Sequence, residues 1–210
     1  MENEDKNEEI EELDYQIYLV GYYMAGTTSL LQRYFYDNFE DEIEPFQKEQ
    51  FYEKNIELDN GKKISILFWD LRPNSFNIYT ISNFYLKRAD GFMLNYDKTR
   101  RNTFQHLQYY LENIKRYYKE SIGDITLVLN GCKKDLLEKE EITKEEGESF
   151  AKDNNLIFFE TSSKENYNVK ECFDLLISKV VEREPNYKKD TNNIPINLKK
   201  EKTKKKNCLK

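Results

Sequence analysis

Gly21, Gly26 and Thr28 have the types and spacing to do chemistry, inside the run YQIYLVGYYMAGTTSLL at 15–31. Two glycines at this separation, followed by a hydroxyl residue, match the skeleton of a phosphate-cradling loop, G-x-x-x-x-G-K-[ST]. Such a loop aims backbone N–H groups and the positive end of the next helix at an anion. The candidate phosphate ligands are therefore Gly21, Ala25, Gly26, Thr27, Thr28 and Ser29, with the Thr28 hydroxyl placed to bind Mg²⁺. The lysine of the pattern is missing, because position 27 is Thr. Taken alone, the glycine pair also fits an ordinary strand-to-helix turn.

Three further groups follow predicted strands: Asp70 after Trp69, the run Cys132-Lys133-Lys134-Asp135, and Ser162-Ser163-Lys164. The elements that must position them alternate. Apolar runs of strand length lie at 15–21, 63–70, 89–96, 125–129 and 156–159, and a further strand at 51–58 faces 63–70 across the hairpin signal Asp59-Asn60-Gly61. Helical spacing marks 29–38, 102–118 and 169–183, with a short helix near 78–86. Thr143 with Glu146 is a capping box that opens a helix running to about Asp153. Strands alternating with helices predict an α/β sheet covered on both faces. Ligands of such sheets sit at the carboxyl ends of the strands, where all these candidates fall.

Composition narrows the function classes. A length of 210 residues suits one domain with tails, and with 38% apolar residues the 16 Tyr and 13 Phe must fill much of the core. Three scattered cysteines, Cys132, Cys172 and Cys208, argue against a disulfide framework and for a reducing compartment. No run is long and apolar enough for a membrane span, and the acidic start at 1–14 is expected to be a disordered leader rather than a signal peptide. A net charge of −6 gives no general attraction to nucleic acid. His106 is expected on the surface of the long helix, and no metal cluster or nucleophile–base pair is legible.

From about Tyr15 to Arg183 the chain resembles a small GTPase of the Ras superfamily. The segments IELDNGKKISILFWD (56–70), ADGFMLNYDKT (89–99) and ETSSK (160–164) are similar to the Rab branch, while DEIEPFQKEQF (41–51) is more like a Ras effector loop. The resemblance implies a P-loop NTPase-type three-layer α/β/α G domain, with a six-stranded, mostly parallel sheet containing one antiparallel strand and about five helices. It implies GTP or GDP with Mg²⁺ as ligands. Gly21, Gly26 and Thr28 match the phosphate loop, and Asp70 matches the aspartate that holds Mg²⁺ through water. Lys133 and Asp135 match the lysine stacked on guanine and the aspartate that reads it, and Ser162, Ser163 and Lys164 match the loop that closes over the base. The implied domains are the leader 1–14, the G domain 15–183 and a lysine-rich tail 184–210.

Five positions depart from the family pattern, and each removes a specific interaction. Thr27 replaces the phosphate-loop lysine, and Phe46 replaces the effector-loop threonine that meets Mg²⁺ and the γ-phosphate. Pro73 replaces a glycine whose N–H meets that phosphate, and proline has no N–H to offer. Asn74 stands at the catalytic position, in place of the glutamine that orients water. Cys132 replaces the base-reading asparagine, exchanging a strong donor and acceptor for a weak one. Tyr23 and Met24 also put bulk where the family has small residues. Hydrogen bonds to charged groups contribute roughly 1.5–3 kcal/mol each. Losing three such contacts therefore weakens binding by about three to six orders of magnitude.

The resemblance also implies effector or regulator partners at Phe39–Phe51 and Leu71–Leu86, and a role in vesicle traffic. The tail ends EKTKKKNCLK, a basic patch suited to an anionic membrane surface. Cys208 is third from the end, so the C-a-a-X pattern fails and it stands as a single candidate lipidation site. The expected location is cytoplasmic, peripheral on intracellular membranes. The alternative reading is a working GTPase switch that hydrolyses GTP with help from a partner.

Overall fold

The computed structural model describes residues 13–41, 43, 50–58, 61, 63–71 and 80–183. Phe46, Pro73, Asn74, Asp59, Asn60, Cys208, the lysine-rich tail and the first twelve residues of the expected leader lie outside the described residues.

Six strands form one sheet in the order β2-β3-β1-β4-β5-β6. They are β1 (Leu13–Gly21), β2 (Gln50–Glu57), β3 (Lys63–Leu71), β4 (Gly91–Asp97), β5 (Thr126–Cys132) and β6 (Ile157–Glu160). Only β2 runs antiparallel, against β3, with Glu57 opposite Lys63 across the expected hairpin. β1 sits between β3 and β4, and every residue of β4 and β5 is buried. That is the condition of parallel strands covered on both faces. β1 begins two residues before the expected Tyr15, because Leu13 and Asp14 pair with Ile64 and Ser65.

The helices are α1 (Thr27–Tyr36), α2 (Asn83–Leu86), α3 (Arg101–Gln105), α4 (Leu107–Tyr118), α5 (Lys144–Asn154) and α6 (Val169–Val181). α3 and α4 are the two halves of the one helix expected at 102–118, interrupted at His106. Counted as one, they leave five helices, the number expected. α5 opens as the capping box predicts, with the Thr143 hydroxyl accepting from the Glu146 N–H at 3.2 Å. α1 ends two residues short of expectation, because Asp37 turns left-handed (φ 50°) and its N–H donates to the Arg33 carbonyl. In α6 the buried face is Val169, Cys172, Phe173, Leu176, Ile177 and Val180.

Alternation along β1 splits the core. Ile17 and Leu19 face one layer with Leu30, Phe68 and Phe173, while Tyr18 and Val20 face the other with Phe92, Leu94 and Leu111. The interior is aromatic, as composition required. Tyr34 lies flat on Phe173 at 4.0 Å between centroids, and Tyr18, Phe68, Phe92 and Tyr96 are wholly buried. Among the described residues, no helix is long and apolar enough to cross a membrane.

Candidate functional site

β1 delivers the glycine loop. Gly21 is the last residue of β1 and pairs with Asn95. A Cβ there would lie 2.8 Å from the Asn95 carbonyl oxygen, so the close approach of two strands demands glycine. The loop then turns through Met24 (φ 65°) and Gly26 (φ 100°), and the Ala25 N–H donates to the Tyr22 carbonyl at 2.9 Å. Gly26 caps α1, and among the described residues no side chain takes up that helix end. The first amides of a helix lack intrahelical acceptors, so Gly26–Ser29 present a positive helix terminus.

Thr28 and Asp70 meet at the mouth of this loop. The Thr28 hydroxyl donates to Asp70 Oδ2 at 2.6 Å, and Asp70 is only 1% exposed at the end of β3. Mg²⁺ takes one or two carboxylates and completes its shell with waters and phosphate oxygens. A hydroxyl and a carboxylate in contact beside an open helix end meet that requirement. Among the described residues no three His, Cys, Asp or Glu side chains cluster as a self-sufficient metal site.

Thr27 occupies the lysine position with its hydroxyl 3.1 Å from where a Gly21 Cβ would stand. It supplies no cation. Tyr23 and Met24, the bulky residues of the loop, are 61% and 59% exposed. Tyr22 instead packs edge-on against His106, with centroids 4.0 Å apart. His106 is therefore half-buried rather than a surface residue, and burial lowers its pKa below the usual histidine value.

The second half of the site is built by β5, β6 and the loops after them. Lys133 adopts a left-handed backbone (φ 63°), and its ammonium pairs with Asp97 Oδ2 at 2.6 Å. Asp97 is wholly buried at the end of β4, and its other oxygen accepts from the Thr99 N–H and hydroxyl. Asp135 Oδ1 accepts from the Ser162 hydroxyl at 2.6 Å, and the same hydroxyl accepts from the Glu165 N–H. Arg33 of α1 reaches across, donating from Nε to the Ser163 carbonyl at 2.6 Å and from a terminal nitrogen to the Lys164 carbonyl at 3.3 Å. Lys164 is more than half exposed, with Asp41 at 3.9 Å.

Cys132 joins the two halves. Its Cβ is 3.3 Å from where a Gly26 side chain would begin. The thiol is buried in a polar knot: Asn130 Nδ2 donates to Asn95 Oδ1 at 3.0 Å and lies 3.4 Å from Cys132 Sγ, and the Thr161 hydroxyl donates to Asn130 Oδ1 at 3.1 Å. Burial, with the Asp97 charge nearby, pushes the thiol pKa up to about 12.

Thus Gly21–Ser29, Asp70, Lys133–Asp135 and Ser162–Lys164 gather at the carboxyl edge of the sheet. A family model for the Ras family matches residues 16–182. The chain belongs to the Ras superfamily of small GTPases, near its Rab branch. It is 31% identical to Ras-related protein Rab-10 of Diplobatis ommata, over 88% of this chain and 90% of that one. It is 34% identical to Ras-related protein Rab-12 of Homo sapiens, over 81% and 68% respectively. It is 30% identical to Ras-related protein Rab-17 of Mus musculus, over 80% and 76%. Ras and Rab proteins generally bind GTP or GDP with Mg²⁺.

Sequence reasoning missed Arg33, Asp97 and the Asn95–Asn130–Thr161 knot. Asp97 carried a legible signal, a carboxylate at the end of a buried strand, the same reasoning that singled out Asp70. Arg33 carried none for this loop: its local partner is Asp37, four residues on, and its partners in the loop are backbone carbonyls 130 and 131 residues away.

Proposed function

We propose that this Rab-like protein regulates intracellular vesicle and membrane traffic through partner-binding surfaces, with weak or atypical guanine-nucleotide binding and little hydrolysis. The observation that carries the reading is the division of the site. Thr28 with Asp70, and Ser162 with Asp135, are in contact, whereas Thr27 leaves the phosphate side without its cation and the buried Cys132 thiol leaves the base with Asp135 but without the asparagine contact. Gly21, Ala25, Gly26, Thr27, Thr28 and Ser29 would surround the phosphates, and Thr28 and Asp70 would hold Mg²⁺. Lys133, Asp135, Ser162, Ser163 and Lys164 would hold guanine. When bound, Mg²⁺ supplies positive charge to the phosphates. Thr27 cannot add to it, and phosphoryl transfer depends chiefly on such charge and on positioning.

Partner binding is supported by an aromatic strip beside β2 and β3. Phe51 is 40% exposed with its ring 5.0 Å from Trp69, Trp69 stacks on Tyr18, and Phe84 is exposed at 44%. The Trp69 indole N–H is buried without an acceptor among the described residues. Aromatic anchors of this kind dominate protein interfaces. Partners at 39–51 and 71–86, attraction of the lysine-rich tail to an anionic membrane, and lipidation of Cys208 belong to the same proposal.

The test is to purify the protein from cells, denature it and identify any released nucleotide by chromatography. Substoichiometric nucleotide, with a small thermal shift on adding Mg²⁺ and GTP, is the expected result. Stoichiometric tightly held nucleotide would overturn the weak-binding reading. It would favour the second reading, a working GTPase, for which the intact Thr28–Asp70 contact speaks.

A further inference from the structure

At the opposite end of the sheet, below the amino ends of β5 and β6, lies a cleft of about 640 Å³. The end of α4, the 3-10 turn Lys119–Asp124, the end of α5 and the residues around the end of α6 frame it. Its lining is cationic. Lys115, Lys119, Lys179 and Arg183 contribute positive charge, and Asp153 is the one carboxylate among the lining residues. Lys115 donates to the neutral Asn154 side chain at 2.6 Å, and Lys179 pairs with Glu182 at 2.9 Å. Lys119 and Arg183 make no ion pair among the described residues. Glu120 and Asp124 lie on the framing turn but do not line the cleft, so the lining itself carries four cations and one carboxylate.

The chain itself contains a segment of opposite charge that begins beside this cleft. Residues 1–12 hold seven carboxylates and one lysine, a net −6. β1 starts at Leu13, and its Ile17 lies level with Gly91 and Thr126 across the sheet. Leu13 is thus about 13 Å beyond that level on the cleft's side and about 10 Å across, at ~3.3 Å per residue and ~4.8 Å per strand. The Tyr15 hydroxyl donates to the Arg183 carbonyl at 2.8 Å, which ties the start of β1 to the cleft wall. Twelve residues span up to ~40 Å, so reach is no constraint. Tethering gives an effective concentration of order mM, and a cleft lined by one sign of charge focuses its field on the opposite sign.

We propose that the acidic leader, residues 1–12, docks in this cleft through its carboxylates on Lys115, Lys119, Lys179 and Arg183. Docked there, it neutralises the end of the domain from which the chain continues into its lysine-rich tail. The nucleotide loops lie at the other end of the sheet, so the docking is independent of whether nucleotide binds.

The test is zero-length carbodiimide cross-linking of the full chain, with the joined peptides identified by mass spectrometry. The expected products, within monomers, join Glu8, Glu9, Glu11 or Glu12 to Lys115, Lys119 or Lys179, and they disappear at high salt. A variant with Glu8, Glu9, Glu11 and Glu12 all changed to Gln leaves the described domain untouched. In it, hydrogen exchange of amides 119–126 and 153–157 should become about threefold faster as protection by docking is lost. Products confined to dimers, products on lysines beyond Arg183, or unchanged exchange in the variant would each overturn the proposal.

Discussion

Changing Thr27 to Lys restores the one cation that the phosphate loop lacks. Residue 27 is the first of α1, and its side chain runs past the bare Cα of Gly21, where no Cβ obstructs a longer stem. An ammonium placed there would meet any phosphate held by the helix end. A charge-assisted hydrogen bond contributes about 1.5–3 kcal/mol. At ~1.4 kcal/mol per tenfold, Thr27→Lys should tighten GDP and GTP binding about 10- to 150-fold. Thr27→Met supplies a similar stem without charge and should leave affinity unchanged. The assay is a titration of all three proteins with a fluorescent GDP analogue in Mg²⁺, alongside urea unfolding of each. If Thr27→Lys binds no more tightly than the native protein while remaining equally stable, residue 27 does not face the phosphates and the site alignment is wrong. An equal gain from Thr27→Met would assign the effect to packing.

Other perturbations test other parts of the structure. Arg33→Met removes the donors to the Ser163 and Lys164 carbonyls, and should lower stability by about 1.5–3 kcal/mol and speed hydrogen exchange across 162–166. Exchange confined to its native rate would show that the loop holds itself. Lys98, 1% exposed, bridges Glu160 and, at 3.2 Å, Glu140. Lys98→Met should cost about 1.5–3 kcal/mol in urea unfolding at pH 7, because Glu160 loses one charge-assisted hydrogen bond while keeping Lys134 at 2.8 Å. Burial raises the Glu160 pKa, but the hydrogen bonds from Lys134 and Lys98 outweigh it and hold it below 4.5. A depressed folded pKa stabilises above the unfolded value and is lost as pH falls through the folded one. The native protein should therefore lose more stability below pH 4.5 than Lys98→Met does; parallel acid curves would contradict this. Finally, Cys132 and Cys172 are buried, with thiol pKa values pushed upward, so neither should alkylate at pH 8 until the protein is denatured. Rapid native labelling of Cys132, read by peptide mass, would mean that the end of β5 opens.

Period and punctuation made most of the fold legible. The apolar runs within β4 and β5 show no alternating solvent face, which marks them as central strands. The capping box at Thr143 sets the start of α5 because it is a local bond, complete within four residues. Boundaries set by tertiary contacts were not legible. β1 starts early because β3 offers partners for Leu13 and Asp14, and the helix at 102–118 breaks at His106, whose ring packs against Tyr22. The site divides in the same way. Strand-end residues such as Asp70 were readable from position, whereas the path of the loop depends on a left-handed residue at Met24 that no pattern announced.

The internal pairings of the site bear on the proposal that it binds nucleotide weakly. Asp135 spends one oxygen on Ser162, and an ionised carboxylate has about four acceptor positions. Its second oxygen can still accept from a base edge without breaking that bond. Lys133 gives its ammonium to Asp97, which fixes its stem at the loop while leaving the stem's apolar length available for packing. Asn95, Asn130 and Thr161 satisfy one another beneath Cys132, so the sheet carries no polar vacancy there that a ligand must fill. The fold is thus complete on its base side without nucleotide, and binding there disrupts nothing. The phosphate side differs, since among the described residues it offers the start of α1 and the Thr28–Asp70 pair but no lysine at position 27. Affinity should accordingly be limited by phosphates rather than by guanine. The ratio of GDP to guanosine affinity should then be far smaller than one carrying the contribution of a lysine, and Thr27→Lys should enlarge it by the same factor by which it tightens GDP.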